Sequence, residues 1–213
     1  MSNIVIALLQ TATTTEPSPC WQALQPLQPW AVAGKLSLQL IQIPAVYKEC
    51  LIRLEQLINQ SKPSHLILLM QNSQLSQISL EKVALNSINS SEADSKGTLP
   101  VDALTAQTGP AAYFSNLPLS KILAAQRQQQ LPVQLSYHAG TELANHAFYG
   151  LMHYIKHQNI SLYGGLIQLP LLPQQACQHK TAASISETLL RDTLQQALLV
   201  CQDDSNSLLK IVR

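Results

Sequence analysis

Two short runs constrain this chain more than anything else in it. Residues 4–9 (IVIALL) and residues 65–70 (HLILLM) are apolar at nearly every position. A strand with one wet face alternates in polarity. A continuous apolar run of this length is a strand buried on both faces, as in a parallel sheet covered by helices on each side. Between them, Leu36, Leu38 and Leu40 alternate with polar neighbours and Ile43 closes the run, so this segment predicts a strand with one polar face, ended by Pro44. Tyr47, Leu51, Leu54, Leu57 and Ile58 recur at helical spacing and predict an amphipathic helix that stops before Pro63. Residues 10–34, with threonine clusters and four prolines, predict a loop with at most one short helix around residues 21–27.

The same alternation continues through the middle of the chain. Residues 78–86 read as a strand or a half-buried extended segment, and residues 87–109, rich in Ser, Asn, Asp and Gly, as a long loop. Loops of that length are usually functional or mobile. Gly109-Pro110 is turn chemistry, Pro118 opens a helix carrying Leu119, Ile122 and Leu123, and residues 131–136 predict a strand. Ala139-Gly140-Thr141 predicts a tight turn with Thr141 as N-cap, and Leu143, Ala147, Phe148, Leu151, Met152 and Ile155 then mark one face of a helix. A strand entering a helix through a tight turn is where α/β enzymes place nucleophiles, because N–H groups and the helix dipole converge there. Residues 160–172 predict a strand interrupted at Tyr163-Gly164-Gly165. Ser184 and Glu187 have capping-box spacing before a helix that buries Leu189, Leu190, Leu194, Ala197, Leu198 and Cys201, and residues 207–212 predict a last short strand.

Strand and helix therefore alternate, and the expected class is α/β with helices on both faces of a mostly parallel sheet. At 213 residues, with no repeat or linker, residues 1–213 are expected to form a single domain. A net charge of +1 and only 12% charged residues argue against nucleic acid or an anionic membrane as partner. No apolar run approaches the ~20 residues of a membrane helix. Residues 4–9 are too short for a signal peptide, and Cys20, Cys50, Cys177 and Cys201 show no CxxC spacing, so a reducing cytoplasm is expected.

Three motifs carry a resemblance. GPAAYFSNLPLSKI at residues 109–122, the A-G-T-x-x-x-N-H-x-F-Y-G-L-M-H run at residues 139–153 and ISLEKVALN at residues 78–86 resemble pyroglutamyl peptidase I, the pyrrolidone-carboxylate peptidases. SPCWQA at residues 18–23 is similar to a further family segment. The resemblance implies a three-layer α/β/α fold, a homo-oligomer (tetramer or dimer), no cofactor, and a cytosolic Cys-His-Glu mechanism that removes N-terminal pyroglutamate.

Carried over residue by residue, that mechanism is incomplete here. The family's glutamate matches Glu81. Its cysteine position holds Ala144, just before Asn145, and its histidine position holds Gln168. Where the family carries an aromatic pocket loop this chain has ALLQTATT at residues 7–14, and Leu75 stands at the place of an arginine. Alanine offers no lone pair and glutamine exchanges no proton near neutral pH. Losing either nucleophile or base in a comparable hydrolase costs about a millionfold in turnover, roughly 8 kcal/mol. Replacement nucleophiles are weak: Thr141, Ser115 and Ser136 read as cap and loop hydroxyls, and Cys177 with His179 as a loop thiol and a surface histidine. His153 and His157 are four apart with His146 seven residues earlier, yet no HExxH glutamate accompanies them, so no metal is expected. The expectation is a non-catalytic homologue that binds a peptide or partner protein in the old cleft between Glu81 and the helix at Thr141. The alternative is an active cysteine-type omega peptidase.

Overall fold

A computed structural model describes residues 3–10, 18–178 and 182–211, the last seven of these by backbone alone. In chain order the elements are β1 (Asn3–Gln10), α1 (Pro19–Leu24), α2 (Leu27–Ala33), β2 (Ser37–Pro44), α3 (Tyr47–Ser61), β3 (His65–Gln71), β4 (Ile78–Glu81) and β5 (Val83–Leu85). Then follow β6 (Ala112–Phe114), α4 (Leu119–Gln128), β7 (Val133–Ser136), α5 (Leu143–His157), β8 (Tyr163–Leu169), α6 (Pro173–Ala176) and α7 (Glu187–Ile211).

Six strands form one sheet in the order β2-β1-β3-β8-β4-β7. Strand β1 pairs in parallel with β2 and β3, and β3 pairs in parallel with β8. Strand β4 runs antiparallel to β8 and parallel to β7. The two apolar runs behave as a doubly covered strand must. In β1, Ile4, Ile6 and Leu8 face a core built with α1, α2, α4 and α7, whereas Val5, Ala7 and Leu9 face a second core built with α3 and α5. Each alternate side chain is buried because each face carries its own helical layer. The expected three-layer α/β/α architecture is the one observed.

Local readings change where distant chain segments intervene. The segment 78–86 is two strands in different sheets: β4 joins the main sheet, and β5 forms a hairpin-like pair with β6. Residues 18–34 hold two short helices rather than one, with Ser18 Oγ accepting from Trp21 N–H at 3.2 Å to start the first. Strand β8 is not interrupted at its glycines. A Cβ at Gly164 would lie 2.7 Å from Ile155 Cδ1, and one at Gly165 would lie 2.4 Å from Ser115 Oγ, so the glycines let α5 and the 115–117 segment seat on the strand. Helix α7 starts on Ser186, whose Oγ accepts from Leu189 N–H at 3.2 Å, and not on a Ser184–Glu187 box. Of the last strand predicted from sequence, residues 207–211 are instead part of α7, which continues to Ile211, and Val212 lies outside the described residues. The predicted helix face of α5 also widens: Asn145, His146 and Tyr149 are buried as well, because the β5–β6 pair and the 99–110 segment cover its outer side.

Candidate functional site

The C-terminal ends of β3 and β8, the antiparallel strand β4 beside β8 and the N-terminus of α5 meet at one place. Glu81 closes β4 and Gln168 lies near the end of β8. In the antiparallel register Glu81 faces Leu166 and Ser79 faces Gln168, so Glu81 and Gln168 are diagonal neighbours on the same side of the sheet. That side is the one covered by α5.

Glu81 is 1% exposed. Its Oε1 accepts from Gln168 Nε2 at 3.3 Å, and its Oε2 has no hydrogen-bond partner among the described residues. Burial pushes the Glu81 carboxyl above the ordinary carboxylate range, offset in part by the Ser79 and Ser136 hydroxyls, His138 and the Gln168 amide. Gln168 is itself fully engaged. Its Nε2 also donates to Ala139 O at 3.3 Å, and its Oε1 accepts from Asn72 Nδ2 at 2.8 Å. A side-chain amide with both hydrogens and its oxygen committed is a structural joint.

The turn between β7 and α5 places Ala144 at the cleft. Gly140 has φ +83°, a conformation that suits glycine, and its N–H donates to His138 Nδ1 at 3.0 Å. The helix begins one residue later than the sequence suggests: Glu142 is the N-cap, with no side-chain cap bond. Thr141, the residue predicted to cap, instead donates its hydroxyl to Asn89 O at 3.0 Å, while Asn89 N–H donates to Thr141 O at 2.9 Å. Asn145 carries the fixation further. It is fully buried, and it exchanges bonds with Leu85 N and O while also donating to Ser87 O. The helix start is thereby tied to the segment that follows Glu81.

A cleft of about 760 Å³ opens above this floor, lined among others by Tyr47, Asn72, His138, Glu142, Ala144 and Gln168. Residues 90–95 form its opposite wall. Asp94 holds that wall down, accepting from Tyr47 N–H at 3.0 Å with Oδ2 and from Lys96 and Thr98 N–H at 2.9 Å with Oδ1, and Lys96 pairs with Glu49. The long loop predicted from composition is thus a built wall of the cleft. His138 was missed by sequence reading; its only signal was an imidazole two residues before the turn glycine.

The other candidate groups fall elsewhere. Ser115 Oγ donates to Gly164 O in a loop, whereas Ser136, expected in a loop, is the last residue of β7 and donates its hydroxyl to His138 O. Cys20, Cys50 and Cys201 are buried, and burial pushes each thiol up to about 12, so none is a thiolate near neutral pH. Cys177 is exposed beyond α6 and donates to Gln174 O at 3.1 Å; His179 lies outside the described residues, as do residues 11–14 of the predicted pocket-loop segment. Among the described residues no cysteine lines the cleft. His146 and His153, both on α5, have different hydrogen-bond partners. His146 Nε2 lies 3.2 Å from Tyr47 O, which can only accept, so in the neutral ring Nε2 carries the proton and the Thr105 hydroxyl meets Nδ1 at 3.0 Å. His153 Nδ1 lies 3.0 Å from Tyr113 OH.

With this geometry in hand, the relatives agree with one another. The profile of the family described as pyroglutamyl peptidase matches residues 4–203. A pyrrolidone-carboxylate peptidase of Bacillus cereus is 32% identical over 183 residues, covering 86% of this chain and 85% of the relative. A pyrrolidone-carboxylate peptidase 1 of Ralstonia nicotianae is 36% identical over 169 residues, covering 79% and 78%. Among solved structures, the pyroglutamyl peptidase I of Bacillus amyloliquefaciens superposes with a TM-score of 0.85 at 32% identity, covering 94% of this chain and 95% of that one. The chain belongs to the pyroglutamyl peptidase family.

Proposed function

We propose that this protein is a catalytically silent member of that family, in which Ala144 stands at the nucleophile's position, Gln168 at the base's, and Glu81 is the retained acid. Its role is then binding, with a peptide or a protein segment in the cleft above Ala144. The same reading carries a homo-oligomer, dimer or tetramer, in the cytoplasm. One observation supports it above the others: the Gln168 amide holds Glu81 and is saturated by Asn72 and Ala139, so the carboxylate that would orient an imidazole orients an amide. An amide of this kind takes up no proton at neutral pH. Among the described residues no cysteine lines the cleft. The ring of His138 takes its Nδ1 bond from Gly140 N–H, and the lining hydroxyls of Ser90, Ser91 and Thr141 are spent on Glu92 O, Glu142 Oε1 and Asn89 O.

The test is direct. Protein purified from a host lacking pyroglutamyl peptidase is incubated with a pyroglutamyl fluorogenic amide at high enzyme concentration. Release indistinguishable from buffer is expected; turnover that survives repurification and scales with protein would overthrow the silent reading.

A further inference from the structure

Strand β2 is an edge of the main sheet, and among the described residues nothing pairs with its outer side. Its register with β1 is unbroken from Asn3↔Ser37 to Gln10↔Pro44, so no bulge turns the edge away. The opposite edge, β7, has only 4 residues. The direction of the outer groups follows from one bond: Ala45 N–H donates to Gln10 O at 2.9 Å, across the β1–β2 seam. In a parallel ladder, alternate residues of a strand send both backbone groups to the same neighbour. Gln39, Ile41 and Ile43 therefore bond to β1, and Leu38, Leu40 and Gln42 present N–H and C=O outward. Protein edges of this kind are commonly blunted by a charge or a proline. Residues 36–43 hold neither. The helices beside the edge also leave apolar surface uncovered. Helices α2 and α3 pack on β2 from opposite faces, and Val32 and Ile52 on them are 76% and 55% exposed.

We propose that β2 pairs with β2 of a second copy of this chain, antiparallel about a two-fold axis through Leu40, so that two sheets become one. This rests on the homo-oligomer in the reading above and names its contact surface. The strand is complementary to itself in that register. Leu38 meets the partner's Gln42, Leu40 meets the partner's Leu40, and every outward N–H faces an outward carbonyl. The side chains agree with the backbone. On the face of α2, the two Leu40 side chains lie against each other and extend the layer in which Leu38 and Leu40 already pack. On the face of α3, Gln39 lies against the partner's Ile41. No charge sits in the paired run, and Lys35 falls opposite the partner's Ala45 rather than another cation. A foreign strand shares only the main-chain bonds; the two-fold match of donor, acceptor and side chain belongs to this chain's own edge. The axis closes the assembly, because each copy spends its one long edge.

Sedimentation of the whole protein across a range of micromolar concentrations reads the assembly. The native chain is expected to self-associate, and Leu40→Lys, which sets two cations face to face on the axis, to halve its mass. Leu40→Pro removes an outward N–H that β1 does not use and is expected to do the same. The register has a separate test that decides even where a Leu40 variant unfolds. Gln39→Cys and Ile41→Cys, each combined with Cys177→Ser to remove the exposed thiol, are mixed while reduced and then oxidised. Residues 39 and 41 face each other as a non-hydrogen-bonded pair, within disulfide reach, whereas neither faces its own copy. The mixed disulfide is expected to exceed either self-linked species about tenfold. A protein that is monomeric throughout overturns the proposal together with the homo-oligomer reading. An assembly that keeps its mass in folded Leu40→Lys and Leu40→Pro, or a mixed disulfide no more abundant than the self-linked ones, overturns the edge pairing alone. Turnover of a pyroglutamyl substrate is read separately and bears only on the silent cleft.

Discussion

Acid should loosen this protein through one histidine remote from the cleft. His65 opens β3, is 0% exposed, and stacks on Tyr163 with ring centroids 5.0 Å apart and an interplanar angle of 19°. The Ser64 hydroxyl donates to Asn3 O at 3.0 Å, so the 3.1 Å contact between Ser64 Oγ and His65 Nδ1 requires the ring to donate from Nδ1. That leaves Nε2 as an acceptor, and it has no partner among the described residues. Protonation would create a second N–H with nothing to receive it there. Burial accordingly pushes His65 from 6.5 down to about 4, with Asp204 opposing in part. A base with a depressed folded pKa contributes its full stability above the unfolded pKa of 6.5 and loses it as pH falls toward the folded value. Over that window the loss approaches about 3 kcal/mol, of which about 1.4 has gone by pH 5.5 and about 2.5 by pH 4.5. The assay is urea unfolding of wild type and His65→Phe at pH 8, 6.5, 5.5 and 4.5. Phenylalanine keeps the stack on Tyr163 and cannot titrate, and other acid-sensitive groups, His146 among them, cancel in the difference. The stability difference between the two proteins is expected to shift in favour of the variant by about 2.5 kcal/mol from pH 8 to pH 4.5. A difference that stays flat over this range would refute the assignment.

Three further outcomes are expected. Ala144→Cys combined with Gln168→His returns little turnover of a pyroglutamyl substrate, because the segment at residues 7–14 supplies no aromatic side chain to hold the ring; rates like those of active relatives would show the two positions to be sufficient. Gln168→Leu removes the partners of Glu81 Oε1, Asn72 Nδ2 and Ala139 O, and urea titration should register a loss of about 2–4 kcal/mol. Gly165→Ala forces a methyl group to within 2.4 Å of Ser115 Oγ and 2.6 Å of Leu117 Cδ1, and should cost about 1–3 kcal/mol, read as a lowered thermal midpoint.

Much of this protein is visible in its residues alone. A strand buried on both faces must be apolar throughout, so residues 4–9 and 65–70 mark the centre of a covered sheet by their composition. Helix α3 shows itself by its spacing, and the 78–86 and 139–153 motifs place Glu81 and Ala144 at the ends of elements that do meet. The Glu81–Gln168 hydrogen bond follows from those positions once the two strands are neighbours. What local pattern lacks is direction and partner. A four-residue strand buried on every side reads the same in either sense, so only the fold decides that β4 runs against β8 and brings Glu81 diagonally beside Gln168. Thr141 has the chemistry of a cap, but Asn89, 52 positions away, claims its hydroxyl. Tyr163-Gly164-Gly165 looks like a break until α5 is packed across it. The wall at residues 90–95 and the place of His138 in the cleft are likewise set by contacts between segments far apart in the chain. Periodicity encodes which face of an element is dry; which other element dries it is settled only when the whole chain is packed.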